Sequence, residues 1–347
     1  MRTDELDFDL PPELIAQTPP EDRSASRLLH YVRASGDIHD RIFSDLPSLL
    51  RPGDLLVFND SRVIPARFTL KKSTGGLIEG LFISEPVIGQ WLALLRDVGR
   101  PPQGTILHFD SDPSLGATIL TSRGRGEFLI QISDPIPAIA LLNRVGRMPL
   151  PPYIKRRRQA DERDALDRAR YQTVYADSPG AIAAPTAGLH FTPDLLRRLD
   201  DAGIPHVLIT LHVGAGTFKP VSADNLADHP MHAESFSISP AAAEALNRAK
   251  SDNRRIVAVG TTSARVLESQ PPDQPFAPAQ SQTSIFIYPP YRWKHVGALI
   301  TNFHLPRSTL IALVAAMTGL DEQRRIYQHA IAQRYRFYSY GDAMFVD

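Results

Sequence analysis

The chain has 347 residues, no cysteine, and equal numbers of acidic and basic side chains, so its formal net charge is zero. That excludes disulfides, thiolate nucleophiles, Cys-ligated zinc and protein-ligated iron–sulfur clusters, and it restricts nucleic-acid contact to local basic patches. Hydrophobic residues are 43% and charged residues 22%, a globular balance, and no apolar run reaches the roughly 18 residues that span a bilayer. The length predicts two domains. The start, M-R-T-D-E-L-D-F-D-L, is acidic and lacks an apolar signal core, which points to the cytoplasm.

Within Asp9 to Gln17, P-P-E-L-I-A-Q predicts a short proline-bounded helix. Arg23 opens R-S-A-S-R-L-L, which reads as surface charge beside a small-residue turn. Gly53 to Asn59, G-D-L-L-V-F-N, reads as a turn feeding a buried strand, with the polar cluster Asp60-Ser61-Arg62 at its end. From Ile64 to Ser133 strand-like runs recur: L-I-E-G-L-F-I, W-L-A-L-L, T-I-L-H-F, A-T-I-L and E-F-L-I-Q-I. Gly, Pro, Asp and Ser separate them and no helical stripe intervenes, which predicts a small β-barrel. Lys71, Lys72, Arg96, Arg123 and Arg125 lie on or beside it, either as solvated charges or as a phosphate-tracking face.

Arg144 to Arg158, R-V-G-R-M-P-L-P-P-Y-I-K-R-R-R, is the most basic stretch. Its prolines hold it extended, so several cations can share one edge with Tyr153 interleaved to stack on a base. A charged interdomain linker is the alternative, taken here for Arg157 and Arg158. Asp161 to Arg170 reads as a charged helix.

The richest stretch is Gly180 to Phe218, where small-residue segments carry His190 and His212. Pro185, Ala187 and Gly188 leave backbone N–H groups uncovered for a ligand. Thr192, Pro193 and Asp194 suit a helix start, Leu195, Leu196, Leu199 and Ala202 form its stripe, and Gly203 stops it. Val207 to Val213 reads as a buried strand. Gly214 and Gly216 follow at its carboxyl end, where open α/β sheets place ligands. A tight structural turn with two core histidines is the alternative.

In H-P-M-H-A-E, His232 and Glu234 read as a hydrogen-bonded pair orienting one imidazole, since His229 and His232 lack a third metal ligand. Ser239-Pro240 opens a helix to about Lys250. Arg255 to Gly260 is a strand, and Thr261-Thr262-Ser263 begins the next helix with Arg265 one turn in. A hydroxyl-capped start there suits a carboxylate or phosphate, or is simple capping. Gln270 to Ser284 reads as a surface loop, and Ile285 to Tyr288 and Ala298 to Phe303 as strands. His304-Leu305-Pro306 begins a nearly all-apolar, buried helix to Met317, with Asn302 and His304 as the functional candidates at the strand end. The tail, Y-R-F-Y-S-Y-G-D-A-M, is a terminal strand or a stacking wall.

A-A-P-T-A-G-L-H-F-T followed by T-L-H-V-G-A-G-T-F closely resembles the S-adenosylmethionine:tRNA ribosyltransferase-isomerase family of queuosine biosynthesis. The resemblance runs from E-L-I-A-Q to Y-R-F-Y-S-Y-G-D-A-M, and includes N-D-S-R-V-I-P-A-R, with Ser61 in place of threonine. It departs at Pro289-Pro290, where P-G is usual, and at Gly297, where aspartate is usual. The expected fold class is α/β: a discontinuous domain with a mixed sheet, residues 1–63 and 149–347, plus an inserted small β-barrel domain, 64–148. The resemblance implies that the ribosyl part of S-adenosylmethionine goes to 7-aminomethyl-7-deazaguanine at the wobble position of tRNA and is isomerised. Adenine and methionine leave, and epoxyqueuosine-tRNA forms. The partner is then a tRNA with a GUN-type anticodon. No cofactor is expected, because S-adenosylmethionine is consumed, and neither is a metal or a membrane.

The sulfonium acidifies the C5′ protons, so a side-chain base suffices to remove one. The matched motifs offer His190, His212, His232, Glu234 and His304 for acid–base work, unranked. Thr186, Ala187, Gly188, Gly214, Gly216, Thr217, Thr261, Thr262, Arg265 and Asn302 are the substrate-binding candidates. Arg147, Tyr153 and Lys155 are the tRNA-binding ones. The rivals are a methyltransferase, whose G-x-G loop is not found, and a non-catalytic RNA-binding protein built on the barrel.

Overall fold

The computed structural model describes residues 1–157, 159, 161–214 and 221–347. The hairpin β1 (Arg27–Val32) and β2 (Asp37–Ile42) leads through the single-turn helix α1 (Leu46–Leu49) to β3 (Leu55–Asn59). All five residues of β3 are buried, as an interior strand's continuous apolar run requires. A short β4 (Ser61–Val63) follows. Six strands then close a barrel: β5 (Arg67–Lys71), β6 (Leu77–Val87), β7 (Gln90–Arg96), β8 (Ile106–Phe109), β9 (Gly116–Gly124) and β10 (Glu127–Ile132).

Four of the five strand-like runs read from the sequence lie wholly in barrel strands, and T-I-L-H-F does so from Ile106; β5 is an addition to them. Alternation turns Ile78, Phe82, Trp91, Phe128 and Ile130 inward. Gly80 is needed there, because a Cβ at that position would meet the Phe68 ring at 2.2 Å. Helix α2 (Ala138–Val145) follows the barrel and buries Leu141, Leu142 and Val145 in its core.

The chain continues as α3 (Asp164–Arg170), β11 (Ser178–Ala181), α4 (Pro193–Asp201), β12 (His206–Leu211), β13 (Glu234–Ile238), α5 (Pro240–Ser251) and β14 (Ile256–Val259). It ends with α6 (Thr261–Glu268), β15 (Ala279–Thr283), β16 (Ala298–Asn302), α7 (Thr309–Thr318), α8 (Leu320–Ala332) and β17 (Ala343–Val346). The large sheet has the order β15-β13-β12-β3-β14-β16-β17-β1-β2. Its middle strands β12, β3, β14 and β16 are parallel, while β13 and β17 run antiparallel to their neighbours β12 and β16. The sheet is therefore mixed. From β3 the chain moves outward to β12 and later returns to place β14 on the other side, so the order reverses beside β3. Carboxyl ends of parallel strands at such a reversal leave a crevice.

Several local expectations are corrected. P-P-E-L-I-A-Q makes only a 3₁₀ turn, Pro12–Leu14, because Ile15 leaves it to bridge Phe337. Ala202, placed on the α4 stripe, is exposed beyond the last helical turn. The strand expected at Ile285–Tyr288 lies instead at Ala279–Thr283, inside the presumed loop. Its exposed Gln280, Ser281 and Gln282 suit an edge strand, and all five residues pair with β13. Helix α7 starts past Pro306, where Ser308 Oγ accepts from the backbone N–H of Ile311. No helix is long and apolar enough to cross a membrane among the described residues.

Candidate active site

A cleft of about 600 Å³, open to solvent, lies at the carboxyl ends of the parallel strands. Val213 enters it after β12, Gly260 to Thr262 after β14, and Thr301 to Leu305 around the end of β16. Ala183 to Ala187 form one wall, and Tyr153, Tyr338 and Ser339 another. The structure thus brings together seven candidates from four separate stretches: Thr186 and Ala187, Thr261 and Thr262, Asn302 and His304, and Tyr153. Gly216 and Thr217 lie outside the described residues.

The α6 start differs from the hydroxyl-capped one expected. Its N-cap is Gly260, at φ +88°, with no side-chain cap. Ser263 Oγ donates to Val259 O at 2.9 Å, and Thr262 Oγ1 is buried without a partner. A glycine cap supplies no side-chain acceptor to the first-turn N–H groups, and Thr262, with its unpaired hydroxyl, lines the cleft. Asn302 Oδ1 is a second buried, unpaired atom in the same wall.

His190 is absent from this wall. Its Nδ1 is 2.6 Å from Ser26 Oγ and its Nε2 is 3.1 Å from Asn302 Nδ2, and its ring stacks on Phe43. Ser26 Oγ donates to Arg23 O, and Asn302 Nδ2 also reaches the carbonyls of Tyr338 and Asp342. Asn302 therefore donates to Nε2, and Nδ1–H donates to the serine. Burial, with Arg336 beyond it, pulls the imidazole down to about 3. The ring is neutral and both of its nitrogens are engaged. It holds the Asn302 amide nitrogen, while Oδ1 of that residue stays buried and unpaired beside the cleft. Arg23, read as surface charge, belongs to this support: it donates to the carbonyls of Gln172, Leu189 and Ala169.

His304 does face the cleft. Its Nε2 pairs with Thr301 Oγ1 at 2.8 Å, and its backbone N–H donates to Tyr327 Oη. Burial lowers this imidazole to about 3 as well, so it is neutral, and Nδ1 makes no hydrogen bond with described residues. His212 lies elsewhere, its ring 3.2 Å from where a Gly180 Cβ would sit and its Nδ1 buried and unpaired. Near it, Asp60 accepts from Thr210 Oγ1, and burial raises its carboxyl. The His232–Glu234 pair is corrected: His232 is exposed, while Glu234 is buried against the Arg265 guanidinium and accepts from Gly214 N–H. Among the described residues, no three His, Asp or Glu side chains converge as a metal site would need.

Gly188 sits under the Thr186–His190 turn, where a Cβ would lie 2.0 Å from Tyr175 Oη. Gly188→Ala must displace the turn that carries Thr186 and Ala187. A shift of about 1 Å at a reacting geometry costs on the order of 10²-fold. The single-turnover rate should fall by that factor, and Gly188→Ala/Tyr175→Phe should recover part of it. Full activity in Gly188→Ala would contradict this packing.

The basic stretch divides. Lys155 is exposed, Arg147 is bound to Asp164 at 2.7 Å, and Tyr153 Oη meets Ser339 Oγ at 2.7 Å inside the cleft. Arg156 is a core cation: its side chain is 1% exposed and pairs with Asp167 at 2.6 Å. Arg156→Ala strands that carboxylate, and such removals cost about 3–5 kcal/mol. Urea unfolding should register that loss; a loss under about 1 kcal/mol would mean the pair is not buried in solution.

The model of the family described as "Queuosine biosynthesis protein" matches residues 3–346. The chain belongs to that family. A relative from Ralstonia nicotianae, named S-adenosylmethionine:tRNA ribosyltransferase-isomerase, is 51% identical over 99% of this chain and 94% of its own. One of the same name from Thiobacillus denitrificans is 47% identical over 100% and 98%. A crystal structure of S-adenosylmethionine tRNA ribosyltransferase from Thermotoga maritima is 34% identical, has a TM-score of 0.53, and covers 99% of this chain and 100% of its own. Within this queuosine biosynthesis family chain, sequence reading left out Tyr338 and Ser339 as cleft residues. The signal available for them was the aromatic tail, noted only as a possible stacking wall.

Proposed function

We infer that this chain is an S-adenosylmethionine:tRNA ribosyltransferase-isomerase, moving the ribosyl part of S-adenosylmethionine to a deazaguanine amine at the tRNA wobble position and isomerising it. The observation that carries the reading is one cleft at the strand ends that joins an uncommitted helix start, an unpaired Asn302 oxygen and a neutral imidazole. These occur in a chain about half identical to proteins of that name. Within the cleft, His304 is the proton acceptor: its Nδ1 is the nitrogen not used toward Thr301, and the acidity the sulfonium gives the C5′ protons must offset the basicity that burial takes from the ring. Asn302 and Thr262 hold polar groups of the nucleoside, and His190 positions Asn302. Tyr153 and Tyr338, with ring centroids 4.5 Å apart, supply an aromatic wall for a flat base.

The wobble base of a GUN-type anticodon enters the same cleft, with Lys155 outside it as a phosphate contact. The division is residues 1–63 and 149–347 for chemistry and 64–148 for the inserted barrel, and the protein works in the cytoplasm. The test is incubation with S-adenosylmethionine and tRNA bearing the aminomethyl base. Free adenine and methionine are expected. S-Adenosylhomocysteine would mean a methyltransferase, and no small product would mean a binding protein.

A further inference from the structure

A second hollow, about 530 Å³ and likewise open to solvent, adjoins the cleft; Leu310 lines both. Helix α6 also serves both, giving Thr261 and Thr262 to the cleft and Arg265 to the hollow. Arg265 is only 7% exposed. Its Nη1 faces Glu234 and its Nε reaches Ile285 O at 3.4 Å, but Nη2 is buried with no partner. His229 Nδ1, also buried and unpaired, opens on the same hollow. The remaining wall is largely apolar, with Ile287 and Leu313 among its residues.

A buried donor or acceptor left unpaired costs about 1–3 kcal/mol, and more when charged. Two such nitrogens in one hollow mark a place kept for a polar ligand. The charges specify which kind. Glu234 already neutralises Arg265, so a bare anion would leave a buried net charge, whereas a zwitterion adds none. Burial and His232 hold His229 below the usual imidazole range, so its ring is neutral and can accept from an ammonium. The spacing of functions is that of an α-amino acid: carboxylate to guanidinium, ammonium to imidazole, aliphatic chain to the apolar wall.

We propose that this hollow seats the methionyl arm of S-adenosylmethionine, its carboxylate on Arg265 Nη2 and its ammonium on His229 Nδ1. The inference rests on S-adenosylmethionine being the ribosyl donor. The adenosine end then occupies the cleft and the sulfonium lies where the two spaces meet at Leu310. The first-turn N–H groups of α6 are thereby left to the nucleoside instead of the methionine carboxylate.

The test compares S-adenosylmethionine with its decarboxylated analogue, S-adenosyl-3-methylthiopropylamine, by adenine release with modified tRNA. A site built around a polar group rejects a ligand lacking it strongly, so wild type should prefer the carboxylate by at least about 10²-fold in kcat/KM. Arg265→Lys keeps a cation against Glu234, so the fold survives, but a point charge loses the guanidinium fork. Its preference should shrink to under about tenfold. Ile287→Trp, which fills the hollow, should raise KM for S-adenosylmethionine and leave KM for tRNA unchanged. Equal use of both donors by wild type, an undiminished preference in Arg265→Lys, or an unchanged donor KM in Ile287→Trp overturns the inference while leaving the donor assignment intact. No adenine from wild type with S-adenosylmethionine overturns the donor assignment and the inference with it.

Discussion

Acidification from pH 7 to about 4.5 should remove on the order of 5 kcal/mol of folding stability, while the pH is still above the midpoints of ordinary carboxylates. The cause is two imidazoles, His190 and His304, each lowered by burial to about 3. The unfolded chain takes up their protons near pH 6.5, while the folded chain refuses them until about 3. Below 6.5 the unfolded state therefore binds more protons, and stability falls with pH at about 1.4 kcal/mol per unit for each residue. Above 6.5 neither histidine contributes a slope. His212, His229 and His295 are lowered too, by burial, and add smaller amounts of the same sign. Asp347, held below the usual carboxylate range by its His30 hydrogen bond and by Arg255, acts only at lower pH. Urea unfolding at a series of pH values measures the slope. His190→Gln and His304→Gln should each remove about half of it; a flat profile in wild type would show that the two rings are solvated or charged in the folded protein.

What the sequence made legible was chemistry that closes within a few residues. Thr192 accepts from Leu195 N–H and Ser239 from Ala242 N–H, so both helix starts were readable from hydroxyl and proline alone. The barrel strands were readable because one buried face imposes strict alternation. The α6 start failed for a reason the same rule contains: Gly260 can take a positive φ, so the chain caps with backbone and leaves the threonine hydroxyls for the cleft. Partnerships over long separations were not legible. Glu234 was paired with its neighbour His232, yet its charge is matched by Arg265 from another element. His190 looked reactive because the small residues around it are rare. Its partners, Ser26 and Asn302, come from opposite ends of the chain, and no local pattern announces them. The exposed-looking K-R-R-R run likewise hides Arg156, whose counter-ion Asp167 is supplied by α3.

The two histidines that were alike in the sequence should therefore separate in kinetics. His304→Gln is expected to lower single-turnover adenine release by on the order of 10² to 10⁴-fold, the worth of a positioned proton carrier. A glutamine can keep one hydrogen bond toward Thr301 but has no nitrogen lone pair that accepts a proton. His190→Gln removes no proton carrier; it loosens Asn302, so its loss should be smaller and fall mainly on donor KM. The pH profile adds a second discriminator. With its imidazole lowered to about 3, His304 stays in its basic form through the neutral range, so no loss of rate near pH 6.5 should trace to it. Wild type and His190→Gln should then share one profile shape. If His304→Gln retains most of the rate while His190→Gln does not, the proton passes elsewhere. The half-buried Asp60 carboxyl, raised by burial and close enough to His212 for their charges to interact, becomes the group to remove next.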